Sequence, residues 1–355
     1  MKYVTTEGLD EKGLIQAGKA RMDVLEVANR LGYETLVIPT KNGVRQKKYQ
    51  KPAQFFDYLK NAQIWDRKLS RLKDGDTVLL QYAIMNTALN FHKVIKKHAK
   101  RLNFIVLIHD IESIRFNGDK TKTKAFIKRI NNDDRGVLIS AKKVISHNKK
   151  MTEALVKLGV KRENIINLNI FDYIDHENKK AKVSIDKNII IAGNLILEKS
   201  KYLKDLKKLK DVKFNLYGIN FDESCRGDNI DYKGAFKPDE LVKNLEGSFG
   251  LVWDGDSIKT CSGLYGNYLK FNNPHKLSLY LSSGLPVIVW RKSALAQYVD
   301  QNNLGIVVNS LEELNSELKK VTPKKYAAML ENVNIIQKNL KAGKYLEKAI
   351  IKAEK

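Results

Sequence analysis

The chain has 355 residues, and its 64 Lys and Arg against 40 Asp and Glu give a formal net charge of +24 at pH 7. Its 43% hydrophobic and 29% charged residues, with only 6 Pro beside 21 Gly, are proportions of an ordinary globular protein and exclude a disordered or collagen-like chain. At about 150 residues per domain the length predicts two domains, and the charge favours polyanionic partners: nucleic acid, an anionic membrane surface or a phosphate-rich substrate.

The opening residues, Met1 to Arg21, are charged every few positions, and no later stretch approaches the roughly 20 apolar residues of a membrane span. The expected location is the cytoplasm. Short β-branched or aliphatic runs then alternate with longer amphipathic stretches, which predicts parallel strands joined by crossover helices. The expected strands of the first half are Lys2 to Thr6, Thr35 to Ile38, Thr77 to Tyr82, Phe104 to Ile108, Val144 to Ser146 and Ile165 to Leu168. Helical patterns between them include Arg21 to Leu31, Phe55 to Leu72, Phe91 to His98 and Met151 to Leu158. Periodicity lapses over 171–187, which places a linker there, between an N-terminal domain over 1–170 and a second domain over 188–325.

In the second domain the expected strands are Asn188 to Ala192, Lys213 to Tyr217, Gly250 to Trp253, Pro286 to Val289 and Gly305 to Val308. The expected helices are Tyr202 to Leu209, Pro238 to Leu245, Pro274 to Ser283, Ala294 to Val299 and Leu311 to Leu318. Pro238 and Pro274 suit a first helical position, and Ser310 with Glu313 reads as a capping box. The tail, 326–355, reads as helices. Basic clusters at Lys41 to Lys51, Lys93 to Arg101, Lys120 to Arg129 and Lys201 to Lys210 are mixed with apolar residues and read as solvated helix faces. Cys225 and Cys261 are too few for a disulfide framework and lack the spacing of a zinc site.

In open parallel sheets ligands sit at the carboxyl ends of the strands, so the loops there are where chemistry is sought. The loop from Glu7 to Gly13 is not GxGxxG, and no acidic residue ends the second strand, which argues against a dinucleotide site. His109-Asp110 ends a buried strand; the carboxylate is either a base for a hydroxyl proton or a helix cap. Asp254-Gly255-Asp256 follows a strand too, and is either a pair of carboxylates holding a divalent ion or a tight turn, as Asp74-Gly75-Asp76 is. From Tyr268 to Trp290 a polar loop enters a helix at Pro274 and leaves through Gly284-Leu285-Pro286. The N–H groups of that first turn, beside a surface lysine at 276, suit a diphosphate.

The runs Gly250-Leu251-Val252-Trp253-Asp254, Asn273-Pro274-His275-Lys276-Leu277 and Gly284-Leu285-Pro286-Val287-Ile288-Val289 resemble bacterial GT-B sugar transferases, a group that includes β-galactofuranosyltransferases and the glucosyltransferases that extend glycans on serine-rich-repeat adhesins. The strand ends Ile108-His109-Asp110, Ala192-Gly193-Asn194 and Leu216-Tyr217-Gly218 fit the same pattern. The resemblance spans nearly the whole chain. It implies an α/β GT-B fold: two Rossmann-like domains facing a cleft, acceptor in the first and donor nucleotide in the second, with C-terminal helices (326–355) returning to the first. It also implies a UDP-sugar donor, an inverting transfer and no metal. The EX7E pattern of many retaining relatives is missing, since the helix before Gly284 carries Lys276 and Leu279.

The expected enzyme is therefore a hexosyltransferase acting from a UDP-sugar on a glycan carried by a protein or lipid. Lys276, the Pro274 helix terminus and Lys199 neutralise the departing diphosphate. Gly193, Asn194, Tyr217, Asp254 and Asn273 line the nucleotide site. Asp110 is the general base, with Glu7 its competitor. No cofactor or metal is expected. A homo-oligomer is expected, with contact to a partner enzyme or the inner membrane face. A UDP-sugar epimerase of related fold, or a basic nucleic-acid-binding protein, stands as the alternative; no RRM, KH or helix-turn-helix pattern supports the latter.

Overall fold

The computed structural model describes residues 1–8, 16–40, 51–176, 181–183 and 186–355. The stretch from Leu9 to Gly13 in the first loop, the basic cluster before Lys51 and part of the expected linker lie outside them. The chain divides into two compact units: Met1–Glu11, Val24–Leu168 and Leu346–Lys355 form the first, and Lys12–Asp23 with Asn169–Tyr345 the second.

The first unit is built on strands β1 (Lys2–Glu7), β2 (Glu34–Ile38), β3 (Thr77–Tyr82), β4 (Asn103–Ile108), β5 (Lys143–Ser146) and β6 (Ile165–Asn167). All pair in parallel, in the order β2-β1-β3-β4-β5-β6. Helices α1 (Gln16–Arg30), α2 (Lys51–Ser70), α3 (Phe91–His98), α4 (Glu112–Arg115), α5 (Lys124–Ser140) and α6 (Lys149–Lys157) connect them. A parallel sheet covered on both faces needs strands without a polar side. That is why Val78 to Tyr82 and Phe104 to Ile108 are buried without interruption.

In the second unit β7 (Lys182–Val183) pairs only with β11 (Glu246–Gly247). Its main sheet holds β8 (Ile189–Ala192), β9 (Phe214–Tyr217), β10 (Ile230–Tyr232), β12 (Phe249–Val252), β13 (Val287–Trp290) and β14 (Gly305–Val308) in the order β10-β9-β8-β12-β13-β14. The chain thus lays strands to one side of β8, then returns to add the rest on the other, which is the strand order of a dinucleotide-type fold with its switch point between β8 and β12. The helices are α7 (Leu197–Ser200), α8 (Pro238–Asn244), α9 (Gly263–Tyr268), α10 (His275–Ser282), α11 (Ala296–Gln301), α12 (Leu314–Lys319) and α13 (Pro323–Ala342), and α14 (Lys344–Glu354) ends the fold. Side chains alternate between two cores. Ile189, Ile191, Phe249, Leu251, Trp253, Ile288 and Trp290 enter one, while Ile190, Ala192, Val252, Val287 and Val289 enter the other with α10.

The expected helix from Tyr202 to Leu209 is a 3-10 helix over Lys201–Lys208. Strand β10 and helix α9 went unpredicted, because three and six residues are too few for a period to show. Ser310 caps as expected by accepting from the Glu312 N–H (3.1 Å), but Glu313 reaches back to the Asn309 N–H (3.0 Å) instead of closing a capping box. Phe171, Tyr173 and Ile174, within the expected linker, are buried. Of the tail expected to return to the first domain, α13 contributes Val333 and Leu340 to the second unit's core. Residues from Leu346 belong to the first unit, where Glu354 takes a 3.0 Å ion pair from Lys2 of β1.

The second core has one tight constraint. Tyr280 of α10 is fully buried, its hydroxyl accepts the Ala192 N–H at the end of β8 (2.8 Å), and its ring lies flat on Gly250 of β12. A Cβ on Gly250 would fall 2.0 Å from that ring. Gly250→Ala should therefore destabilise the protein by about 1–3 kcal/mol through overpacking, read as a lowered midpoint in urea; an unchanged midpoint would mean the ring has room to move.

Candidate active site

At the switch point of the second unit the ends of β8 and β9 are stripped to backbone. Gly193 and Gly218 take φ values of +140° and +143°, and a Cβ on Gly218 would meet the Gly193 carbonyl oxygen at 1.6 Å. Only glycine fits there. Asn194 next to it is exposed, its Oδ1 accepting from the Ile196 N–H (3.1 Å) and the Asn220 amide (2.9 Å).

Across the switch, β12 runs into Trp253 and Asp254. Lys276 of α10 donates to Asp254 Oδ1 at 2.8 Å and to the Trp253 carbonyl at 3.3 Å. Lys199 of α7 lies 3.8 Å from Asp254 Oδ2 and over the Tyr265 ring. Lys201 faces Asp256 at 3.5 Å. The expectation of a surface lysine at 276 is corrected: the residue is 9% exposed, because the helix is covered on every side, with Lys276 to Ser282 all buried. Burial pushes the Lys276 pKa down; Asp254 opposes that shift and Lys199 adds to it.

Three further expectations are adjusted. Pro274 is the N-cap of α10, not its first residue, and offers no side-chain cap. Asn273 is buried, its amide donating to the Asn169 carbonyl (2.9 Å), so it ties two loops of the unit together. Tyr217 is 1% exposed; its ring belongs to the core and its hydroxyl accepts the Glu246 N–H (3.1 Å), which removes it from the strand-end surface. Its side chain follows the in-out alternation of β9, while the strand-end backbone is what faces the loops.

In the first unit the strand ends carry a polar network. Glu7 closes β1 as a buried carboxylate accepting from the Met85 N–H (2.6 Å), the Asn86 N–H (3.0 Å) and the Thr40 hydroxyl (3.0 Å), so both its oxygens shape the loop after β3. Asp110, just past β4, is more open and pairs with Arg115 of α4. The first turn of α4 is held from elsewhere, since Asp134 of α5 accepts the Ser113 N–H (2.6 Å) and the Tyr82 hydroxyl (2.5 Å). Burial pushes Asp134 up to about 6 against those two bonds. His109 Nε2 meets Gln81 Oε1 at 2.8 Å. His147, past β5, bonds the Ile108 carbonyl through Nε2 (2.9 Å), and burial pushes it down to about 4. Asp134 and His147 escaped the sequence reading, since both stand in polar runs, Asn131 to Arg135 and Ser146 to Lys150, that carry no motif.

Two six-stranded parallel sheets, with polar residues gathered at strand carboxyl ends, define the GT-B class. The crystal structure of Anabaena Alr3699/HepE in complex with UDP matches 99% of this chain and 99% of its own at a TM-score of 0.58, with 12% identity, a likeness of fold. The chain belongs to the glucosyltransferase 3-like family: the model of that family's N-terminal domain matches residues 1–170, and that of its C-terminal domain matches 189–353. The β-1,6-galactofuranosyltransferase WbbI of Escherichia coli K12 is 33% identical over 92% of this chain and 91% of its own length. Glucosyltransferase 3 of Streptococcus parasanguinis is 26% identical over 78% of each. The protein is a glycosyltransferase. Among the described residues no helix is long and apolar enough to cross a membrane.

Removing one member of a buried ion pair strands the other charge. Asp254→Ala should thus lower stability by about 3–5 kcal/mol in urea unfolding, and Asp254→Ala with Lys276→Met should recover most of the loss. A double variant no better than the single one would show that the loss comes from Asp254's packing.

A second outcome follows from His147. Below pH about 6.5 its unfolded imidazole takes up a proton that the folded one refuses until pH about 4. Stability should fall as the pH drops through that window, by about 3 kcal/mol at full extent. His147→Gln should remove this share of the acid sensitivity; an unaltered slope of stability against pH would show that the residue is not held neutral.

Proposed function

We propose that the enzyme transfers a hexosyl residue (galactofuranose, glucose or N-acetylglucosamine) from a UDP-sugar to a glycan acceptor on a protein or lipid carrier, with inversion and without a metal. The observation that carries this reading is the convergence of Lys276 and Lys199 on the one carboxylate of Asp254 at the end of β12. Two ammonium groups against one carboxylate leave positive charge at the switch point, beside the bare backbone of Gly193, where a departing diphosphate gathers negative charge. Stabilising such a leaving group is usually the largest catalytic term. The UDP held by the Anabaena protein and the galactofuranosyl and glucosyl transfers named for the relatives support the donor class.

The donor set argues against a metal clamp. Asp254 turns its oxygens to Lys276 and Lys199, and Asp256 turns to Lys201, so lysines meet the triplet's carboxylates. Asp110 serves as base: it takes the acceptor hydroxyl's proton as that oxygen bonds the anomeric carbon and UDP leaves with the electron pair of the broken bond. Glu7 is less suited, because its two oxygens are already engaged by the loop after β3.

A thermal-shift screen of UDP-sugars, run in EDTA, tests the donor. Ligand at 100 times its dissociation constant should add about 2.7 kcal/mol of stability, and no shift with any UDP compound would overturn the reading. Asp110→Asn should keep that shift yet lose turnover by about 100- to 10,000-fold. Near-normal turnover would refute Asp110 as base.

A further inference from the structure

In the first unit α2, α3 and α5 pack side by side as one layer, and that layer sorts its charges. Its carboxylates point inward or are neutralised: Asp57 of α2 is buried, Asp66 bonds Lys97 and His98, and α3 has no acidic residue. On α5 Asp133 and Asp134 are buried, Asp133 pairing with His92 at 2.6 Å. The solvent side carries Lys60, Arg67, Lys93, Lys96, Lys124 and Lys128, all exposed. None of the six has an ion-pair partner among the described residues.

The same side of α2 also presents apolar residues at helical spacing. Phe55 is 51% exposed and Phe56 57%, their rings edge to face at 6.2 Å, and Leu59 follows one turn after Phe55. Phe56 and Lys60 form the parallel ridge one residue on. Exposed aromatic and aliphatic side chains adjoining a sheet of cations suit a boundary where a layer of negative charge overlies an apolar interior. An anionic lipid bilayer is such a boundary.

We infer that the outer face of α2, α3 and α5 is a docking surface for an anionic membrane, with the lysines over the headgroups and Phe55, Phe56 and Leu59 seated at the acyl boundary. This stands whichever sugar is transferred. The attraction fades within a Debye length of about 8 Å at physiological salt, so the lysines bring the surface near and the apolar residues hold it.

The full-length protein, sedimented with phosphatidylglycerol–phosphatidylcholine vesicles and with pure phosphatidylcholine vesicles, tests this. Binding is expected to the anionic vesicles only, and to weaken in high salt. Lys60→Glu, Lys93→Glu and Lys96→Glu together should lower the partition by more than about tenfold, since each cation near an anionic surface counts for about fivefold. Phe55→Ser with Phe56→Ser should reduce binding at physiological salt while leaving low-salt binding in place; if that pair fails to fold, as judged by circular dichroism, Phe56→Ser alone replaces it. No binding to anionic vesicles at low salt, or binding that neither set of substitutions weakens, would overturn the proposal. So would binding to single-stranded RNA as tight as to vesicles and indifferent to the phenylalanines, which would mark a general polyanion surface.

Discussion

The buried contact between Lys276 and Asp254 sets the terms for the rest of the second unit. An ammonium group on a buried helix is tolerable only with a counter-charge, and here the carboxylate comes from just past β12, the strand that borders the switch point. That requirement fixes where α10 docks and which of its residues leads. It also places a second cation, Lys199, within reach of the same carboxylate. The structural ion pair and the diphosphate site proposed above would thus be made of the same atoms.

Close packing under the site serves the same end. The ring of Tyr280 lies where Gly250 has no side chain, and its hydroxyl takes the last free N–H of β8. Strand and helix are therefore locked together one turn beyond Lys276, so the lysine is carried on a rigid element instead of a loop. In the first unit the equivalent work falls to carboxylates: Glu7 gathers the loop after β3 and Asp134 gathers α4, while Asp110 at the strand end pairs with Arg115.

The lines along which the sequence was legible follow from period and chemistry. Strands buried on both faces are unbroken apolar runs, so β3, β4 and β8 stood out within one residue of their true ends. The Asn273-Pro274-His275-Lys276 run announced a helix entry with a cation, and Gly193 and Asp254 were findable as the small and acidic residues that end strands. Asp134 and His147 were not, since burial decides their behaviour and one polar residue in a polar run gives no hint that it will be the buried one or of which partner will meet it.

By itself, then, the sequence determined the α/β alternation, the family and the residue types at each strand end, because these depend on local spacing and on motifs a few residues long. The tertiary structure alone decided that Lys276 is buried and paired with a residue 22 positions away, that Tyr217 is core and that Glu7 accepts from Met85, Asn86 and Thr40. It also decided that the acidic residues of α2 and α5 face inward or are paired while Lys60, Lys124 and Lys128 face out. Burial and pairing are properties of what another part of the chain brings alongside, and helical or strand periodicity carries no information about that neighbour.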